Sequence, residues 1–223
     1  MVAAIAIGAG TQAGAAMPGL YFSGFYMDSS LAYSTADVNQ SLMESWRTQI
    51  WDEYDFETQG VDSSGFDRTD IGYSFGVGFQ FSEYLAAELA YVQMGEARYS
   101  AIGPVLDLEG GGTGLSRTQM RARARGLGIS GVGVWPLGDR WALDARGGLL
   151  WGKNKVSYTV ELQGGGFDDG SLKGDSWALM LGAGVNFSMS PGTAIRVGYT
   201  RLQEALYGDR DVDSWVLGLK YAW

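Results

Sequence analysis

The chain has 223 residues, 35 of them glycine, with 13% aromatics and a formal net charge of −9. It contains neither cysteine nor histidine, which excludes disulfides, thiolate chemistry, imidazole-dependent catalytic arrangements and the commonest zinc sites. The acidic balance argues against nucleic acid, which favours basic surfaces, and there is no run of 18 apolar residues to make a helical membrane span.

At the N-terminus, a short apolar run is followed by small residues with an Ala-x-Ala pattern at Ala13 to Ala15. This is similar to the apolar core and cleavage site of a secretory signal peptide. No Lys or Arg precedes Arg47, so the positive leading region is missing, as expected if the true start lies upstream or the chain has been trimmed. Residues 1–16 are therefore read as a leader remnant or flexible segment, and 17–223 as one domain.

From there, period-two alternation predicts strands at 20–34, 69–81, 84–99, 119–135, 140–158, 175–189, 193–203 and 213–223. Ser82-Glu83, Leu137-Gly138-Asp139 and Ser190-Pro191-Gly192 form short turns, while 35–68, 100–118, 159–174 and 204–212 form longer loops. Short turns alternating with long loops over eight strands predict an all-β fold, an eight-stranded antiparallel up-and-down transmembrane β-barrel with periplasmic termini. A mean hydropathy of −0.06 is compatible with this, because such a barrel is apolar at every second residue only.

One parity predicts the lipid face. Odd positions carry Tyr73, Phe75, Val77, Phe79 and Phe81, then Leu85, Leu89 and Tyr91, and later Leu143, Leu149, Leu179, Leu181, Ile195, Val197 and Tyr199. Trp135, Trp141, Trp151, Trp177, Phe187, Trp215 and Trp223 form the expected aromatic girdles. Trp141 to Trp151 and Trp177 to Phe187 each cover about 23 Å along the membrane normal at the usual strand tilt, close to the roughly 25 Å apolar band of such barrels. The opposite face carries Asp28, Asp70, Glu88, Glu96, Arg98, Asp144, Arg146, Arg196 and Lys220 together with many glycines. In a narrow barrel those glycines leave room for long side chains, so the charged face is read as the lumen. The charges either form a structural network filling it or line a pore.

Arg121, Arg123 and Arg125 resist this scheme, since continued parity puts them on the lipid side. Either a β-bulge near Gly126 turns them inward, or they stand outside at headgroup height and meet lipopolysaccharide phosphates. Gly126 to Gly131 matches G-x-G-x-x-G but lies inside a strand, without the strand-then-helix context of a dinucleotide site. The glycine triplets at 110–112 and 164–166 are read as loop flexibility. The first loop holds eight acids (Asp37, Glu44, Asp52, Glu53, Asp55, Glu57, Asp62 and Asp67), with Trp46, Trp51, Tyr54, Phe56 and Phe66. It is either a solvated loop packed on its own aromatics or a contact surface. Its carboxylates lack the spacing of an EF-hand, and no metal or cofactor is expected.

The last strand, with Leu217, Leu219, Tyr221 and a terminal Trp223 on one face, resembles the C-terminal assembly signal of bacterial outer-membrane barrels, which usually ends in Phe. Residues 21–26 with 31–34 resemble the opening strand of the small OmpA, OmpX and opacity-type barrels, and 134–141 their central periplasmic turn. The resemblance implies an integral outer-membrane protein of a Gram-negative cell, surrounded by outer-membrane lipid and lipopolysaccharide and inserted by the barrel-assembly machinery. It implies a structural or adhesive role, with an unknown extracellular partner. A narrow channel is the alternative. A lipid-modifying or proteolytic barrel is the third reading, disfavoured because enzymes of that kind rely on histidine.

Overall fold

The computed structural model describes residues 24–38, 40–107, 112–163, 166–206 and 210–223. The leader-like segment and the first residues of the opening strand lie outside the described residues. The elements are β1 (Gly24–Ala36), α1 (Gln40–Asp52), β2 (Phe56–Thr58), β3 (Ser63–Asp67), β4 (Thr69–Ser82), β5 (Leu85–Gln93), β6 (Ala97–Asp107), β7 (Thr113–Pro136), β8 (Trp141–Leu162), β9 (Gly166–Ser190), β10 (Thr193–Leu206) and β11 (Arg210–Ala222).

All pairings are antiparallel, and the ring closes where β11 pairs with β1, Leu219 opposite Ser29 and Trp215 opposite Tyr33. β5 and β6 both pair with β7 and form a single wall strand interrupted at 94–96. β3 and β2 pair with β6 and carry the β4 side of the wall upward. The result is an eight-stranded barrel. One end holds the short turns and both ends of the barrel chain; at the other, tall end, β6 to β9 rise into long hairpins. In the turn after β7, Gly138 has φ +142, a backbone conformation that favours glycine.

Three of the expected loops are shorter than the sequence pattern implies. β6 runs to Asp107 and β7 starts at Thr113, β8 runs to Leu162 and β9 starts at Gly166, and β10 runs to Leu206 before β11 starts at Arg210. The alternation continues in these extensions with its polarity exchanged. On upper β7, Thr118, Met120, Ala122 and Ala124 are buried while Arg117, Gln119, Arg121, Arg123 and Arg125 are exposed. A search for an apolar outer face therefore stops where the lipid band stops.

Within the band the outer face is apolar. Phe75, Val77, Leu89, Ile129, Leu149, Leu181, Val197 and Leu217 are all exposed. Aromatics border it: Phe25 meets Phe79 at 4.9 Å and Trp141 meets Phe187 at 4.7 Å near the short-turn end. Toward the tall end Tyr199 meets Trp215 at 5.6 Å, and Leu127, Trp151 and Trp177 lie in one cross-strand row.

Candidate functional site: the lumen and its cap

The lower lumen is filled by charge. Asp144 of β8 accepts a two-pronged contact from Arg196 of β10, with Nε and Nη2 each at 2.9 Å, and a third hydrogen bond from Asn186 Nδ2 at 2.6 Å. Glu88 of β5 accepts from Tyr26 Oη at 2.7 Å and Lys220 Nζ at 3.2 Å, and Arg146 Nη1 lies 3.0 Å from its other oxygen. Arg146 also reaches toward Asp144 at 3.7 Å, joining the two halves. Asp28 stands across the β1–β11 pair from Lys220. The three acids Asp28, Glu88 and Asp144 balance the three bases Arg146, Arg196 and Lys220, all of them in the interior. Pairing makes ions tolerable out of water: Glu88, Asp144, Arg146, Arg196 and Lys220 all have ion-pair partners, whereas Asp28 Oδ2 makes no hydrogen bond among the described residues.

Glycine makes the network possible. A Cβ on Gly184 or Gly198 would lie 2.8 Å from the Arg196 guanidinium, and one on Gly182 2.9 Å from Arg146 Cγ. The backbone has yielded side-chain volume on the strands that face the arginines.

Three of the expected lumenal charges lie elsewhere. Asp70, Glu96 and Arg98 meet at the break between β5 and β6: Arg98 is 3.5 Å from Asp70 and 3.4 Å from Glu96, and Glu96 N–H donates to Asp70 at 3.2 Å. Glu96 also pairs with Arg123. For Arg98 the reason is a parity change. Even residues point inward on β5, where Ala86 and Glu88 are buried, but odd residues do so on β6, where Ala97, Tyr99 and Ala101 are buried. The irregular segment 94–96 shifts the phase, so Arg98 emerges on the outer wall.

Arg121, Arg123 and Arg125 point outward. The β7–β8 register runs without interruption from Ser116 to Pro136, with Gly126 opposite Gly152. There is therefore no bulge to turn them inward. A Cβ on Gly126 would lie 2.2 Å from the Trp151 carbonyl oxygen, so this glycine serves close strand approach.

Above the charged floor lies a cavity of about 60 Å³, bordered below by Asp28, Glu88 and Arg196 and above by Met94, Met180 and Leu202. It has room for a few waters. Over it the interior becomes apolar. α1 lowers Met43, Arg47, Ile50 and Trp51 into the mouth, at the i, i+4, i+7 and i+8 spacing of one helix face. Met43, Ile50 and Trp51 pack with Val105, Met120, Val156 and Val212 in one buried cluster. Trp51 Nε1 donates to Thr118 Oγ1 at 2.9 Å. Arg47 donates to the Gly60 carbonyl at 3.0 Å and reaches Ser116 Oγ at 3.4 Å. Burial lowers its pKa, while Tyr99, Glu44 and Asp62 act in the opposite direction.

The first loop is thus a helical cap, a feature the sequence reading did not identify. Trp51 stacks edge-on against Phe56 at 5.7 Å and Tyr54 at 6.4 Å. Its aromatics are packed, leaving an exposed surface that carries Asp52, Glu53, Asp55 and Glu57. Among the described residues no group of three His, Cys, Asp or Glu is placed to hold a metal ion.

The same architecture appears in solved structures. Neisserial surface protein A is 14% identical, with 90% of this chain and 98% of that one covered and a TM-score of 0.50. The Yersinia pestis attachment invasion locus protein Ail is 14% identical over 89% of this chain and 98% of its own, at a TM-score of 0.46. OprG from Pseudomonas aeruginosa is 13% identical over 93% and 100%, also at 0.46. No curated protein sequence matches. The family model described as outer membrane protein beta-barrel domain matches residues 1–222. The chain belongs to this family of bacterial outer-membrane barrels.

Proposed function

We propose that the protein is a non-enzymatic surface protein of the outer membrane, structural or adhesive in role, that acts through the outside of its tall end. The observation carrying this reading is that side chains occupy the lumen at two levels, the Glu88–Arg146–Asp144–Arg196 floor and the α1 cap. A conduit needs both to move. Non-enzymatic action is supported by the absence of histidine from the chain. Short turns and chain ends gathered at one end support periplasmic termini, with the long hairpins outside. The acidic rim of the cap and the basic wall of the hairpins then offer contact surfaces of opposite sign to the surroundings.

Conductance in planar bilayers tests the closed lumen. The wild-type protein is expected to give no discrete steps, and deletion of residues 40–52 is expected to give none either, because the floor persists. Steady conductance by the wild type would favour the narrow channel instead. Orientation has its own test, because the chain has no native cysteine. Thr113→Cys should react with a membrane-impermeant maleimide on intact cells, and protection there with labelling only after lysis would invert the assignment.

A further inference from the structure

The outer wall immediately above the aromatic row carries an unusual concentration of positive charge. Arg125 is opposite Lys153, and Arg123 opposite Lys155, one and two pleats above the row of Leu127, Trp151 and Trp177. All four cations are exposed. Adjacent strands are about 4.8 Å apart and same-face neighbours along a strand about 7 Å apart, so the four side chains arise from a compact rectangle on two strands. On β9, Lys173 extends it opposite Lys155, while Asp175 stands opposite Lys153 as a carboxylate at its lower edge, beyond ion-pair distance.

Such a cluster repels itself unless anions lie between its members. Within the described residues, Arg123 has Glu96 as an ion-pair partner, and Glu96 is shared with Arg98. None of Arg125, Lys153 or Lys155 has a carboxylate within ion-pair distance among these residues. Across the barrel the same kind of charge is treated differently: Arg201 on β10 is paired with Asp211 and Asp213 on β11. The positive excess belongs to one flank.

Beneath the rectangle, the same two strands present glycine to the lipid. Gly131 is opposite Gly147 and both face outward. A Cβ at Gly131 would meet nothing within 4 Å, and one at Gly147 only Leu181 Cδ2 at 3.8 Å. Ile129 and Leu149 are exposed one pleat above. The flank therefore combines a shallow apolar trough at acyl-chain depth with a cluster of phosphate-binding cations at headgroup depth. Arginine contributes planar two-pronged donation and lysine contributes point charge.

We propose that the β7–β8 flank is a binding site for a phosphate-bearing glycolipid of the outer leaflet, with Arg123, Arg125, Lys153 and Lys155 holding its phosphates and the Gly131–Gly147 trough receiving an acyl chain. The proposal rests on the surface-protein reading, which places the tall end outward. Its test, in nanodiscs, does not depend on orientation in the cell or on conductance, so the two readings fail separately.

The purified protein is reconstituted with bisphosphorylated lipid A, with its dephosphorylated form, or with phosphatidylglycerol, and bound lipid is counted by native mass spectrometry. The wild type should retain bisphosphorylated lipid A, and R123Q/R125Q/K153Q/K155Q should lose more than about tenfold, given roughly fivefold per surface cation. K153R/K155R should retain it, as should R201Q on the opposite flank. Heat-dependent gel migration checks that each variant folds, and R125Q/K153Q replaces the quadruple variant if that one does not fold. Equal retention by the variant, or of the dephosphorylated lipid, would overturn the proposal. Equal retention of phosphatidylglycerol would reduce the site to a general anionic surface and overturn the glycolipid assignment, as would displacement by inorganic phosphate.

Discussion

The two storeys of the lumen solve one packing problem in opposite ways. In the membrane the outside is lipid, so apolar side chains gain nothing by turning inward, and the interior is left to Glu88, Asp144, Arg146, Arg196 and Lys220. Above the aromatic row the outside is water, and the same alternation places Met120, Ala122 and Val156 inside, packed with Trp51 of α1, with Arg and Lys outside. β7 and β8 run through the boundary without a break; the solvent is what changes. The lower storey is held by paired charge and the upper by the hydrophobic effect.

Five variants probe that contrast, measured by urea unfolding in lipid vesicles. Asp144→Ala should have the largest effect, about 3–5 kcal/mol, because it leaves the Arg196 guanidinium buried without its carboxylate. The double replacement Asp144→Leu with Arg196→Met should recover most of that loss; if it does not, the pair contributes more than mutual neutralisation. In the cap, Trp51→Ala should cost about 3 kcal/mol through lost packing, and near-zero cost would show that α1 is not an integral part of the upper core. Arg47→Met should be neutral within about 1 kcal/mol, since a buried cation without a carboxylate contact is replaced by an apolar chain of similar length. A loss as large as that of Asp144→Ala would mean that the upper storey also depends on charge. Arg201→Gln, at an exposed pair, should change stability by less than about 1 kcal/mol and less again in high salt.

The barrel was legible because lipid makes one face of every strand apolar, and a period of two is hard to mimic over Tyr73 to Phe81 or Trp177 to Phe187. Glu88, Asp144, Arg146, Arg196 and Lys220 were legible for the complementary reason, as charges on the opposite parity. Glu96 and Arg98 were misplaced because one irregular segment at 94–96 changes phase, and the single Gly95 within it was its only signal. α1 was missed because its buried face includes Arg47, which breaks the apolar stripe that marks a helix. Lys153 and Lys155 escaped notice for a third reason: their importance lies in their register with Arg125 and Arg123, and pairing between strands is not written along a single strand.

The β1–β11 seam has a consequence for how the protein enters its membrane. Tyr26 pairs with Ala222 and Tyr33 with Trp215, so the closing contacts join residues separated by almost the whole chain and form at the highest loop-closure entropy available to it. Before they form, both strands carry unpaired amides and carbonyls, each costing several kcal/mol in hydrocarbon. A half-closed barrel therefore has no resting place in lipid: insertion and closure either occur as one event or require another strand to shield the open edges until Trp223 is in place.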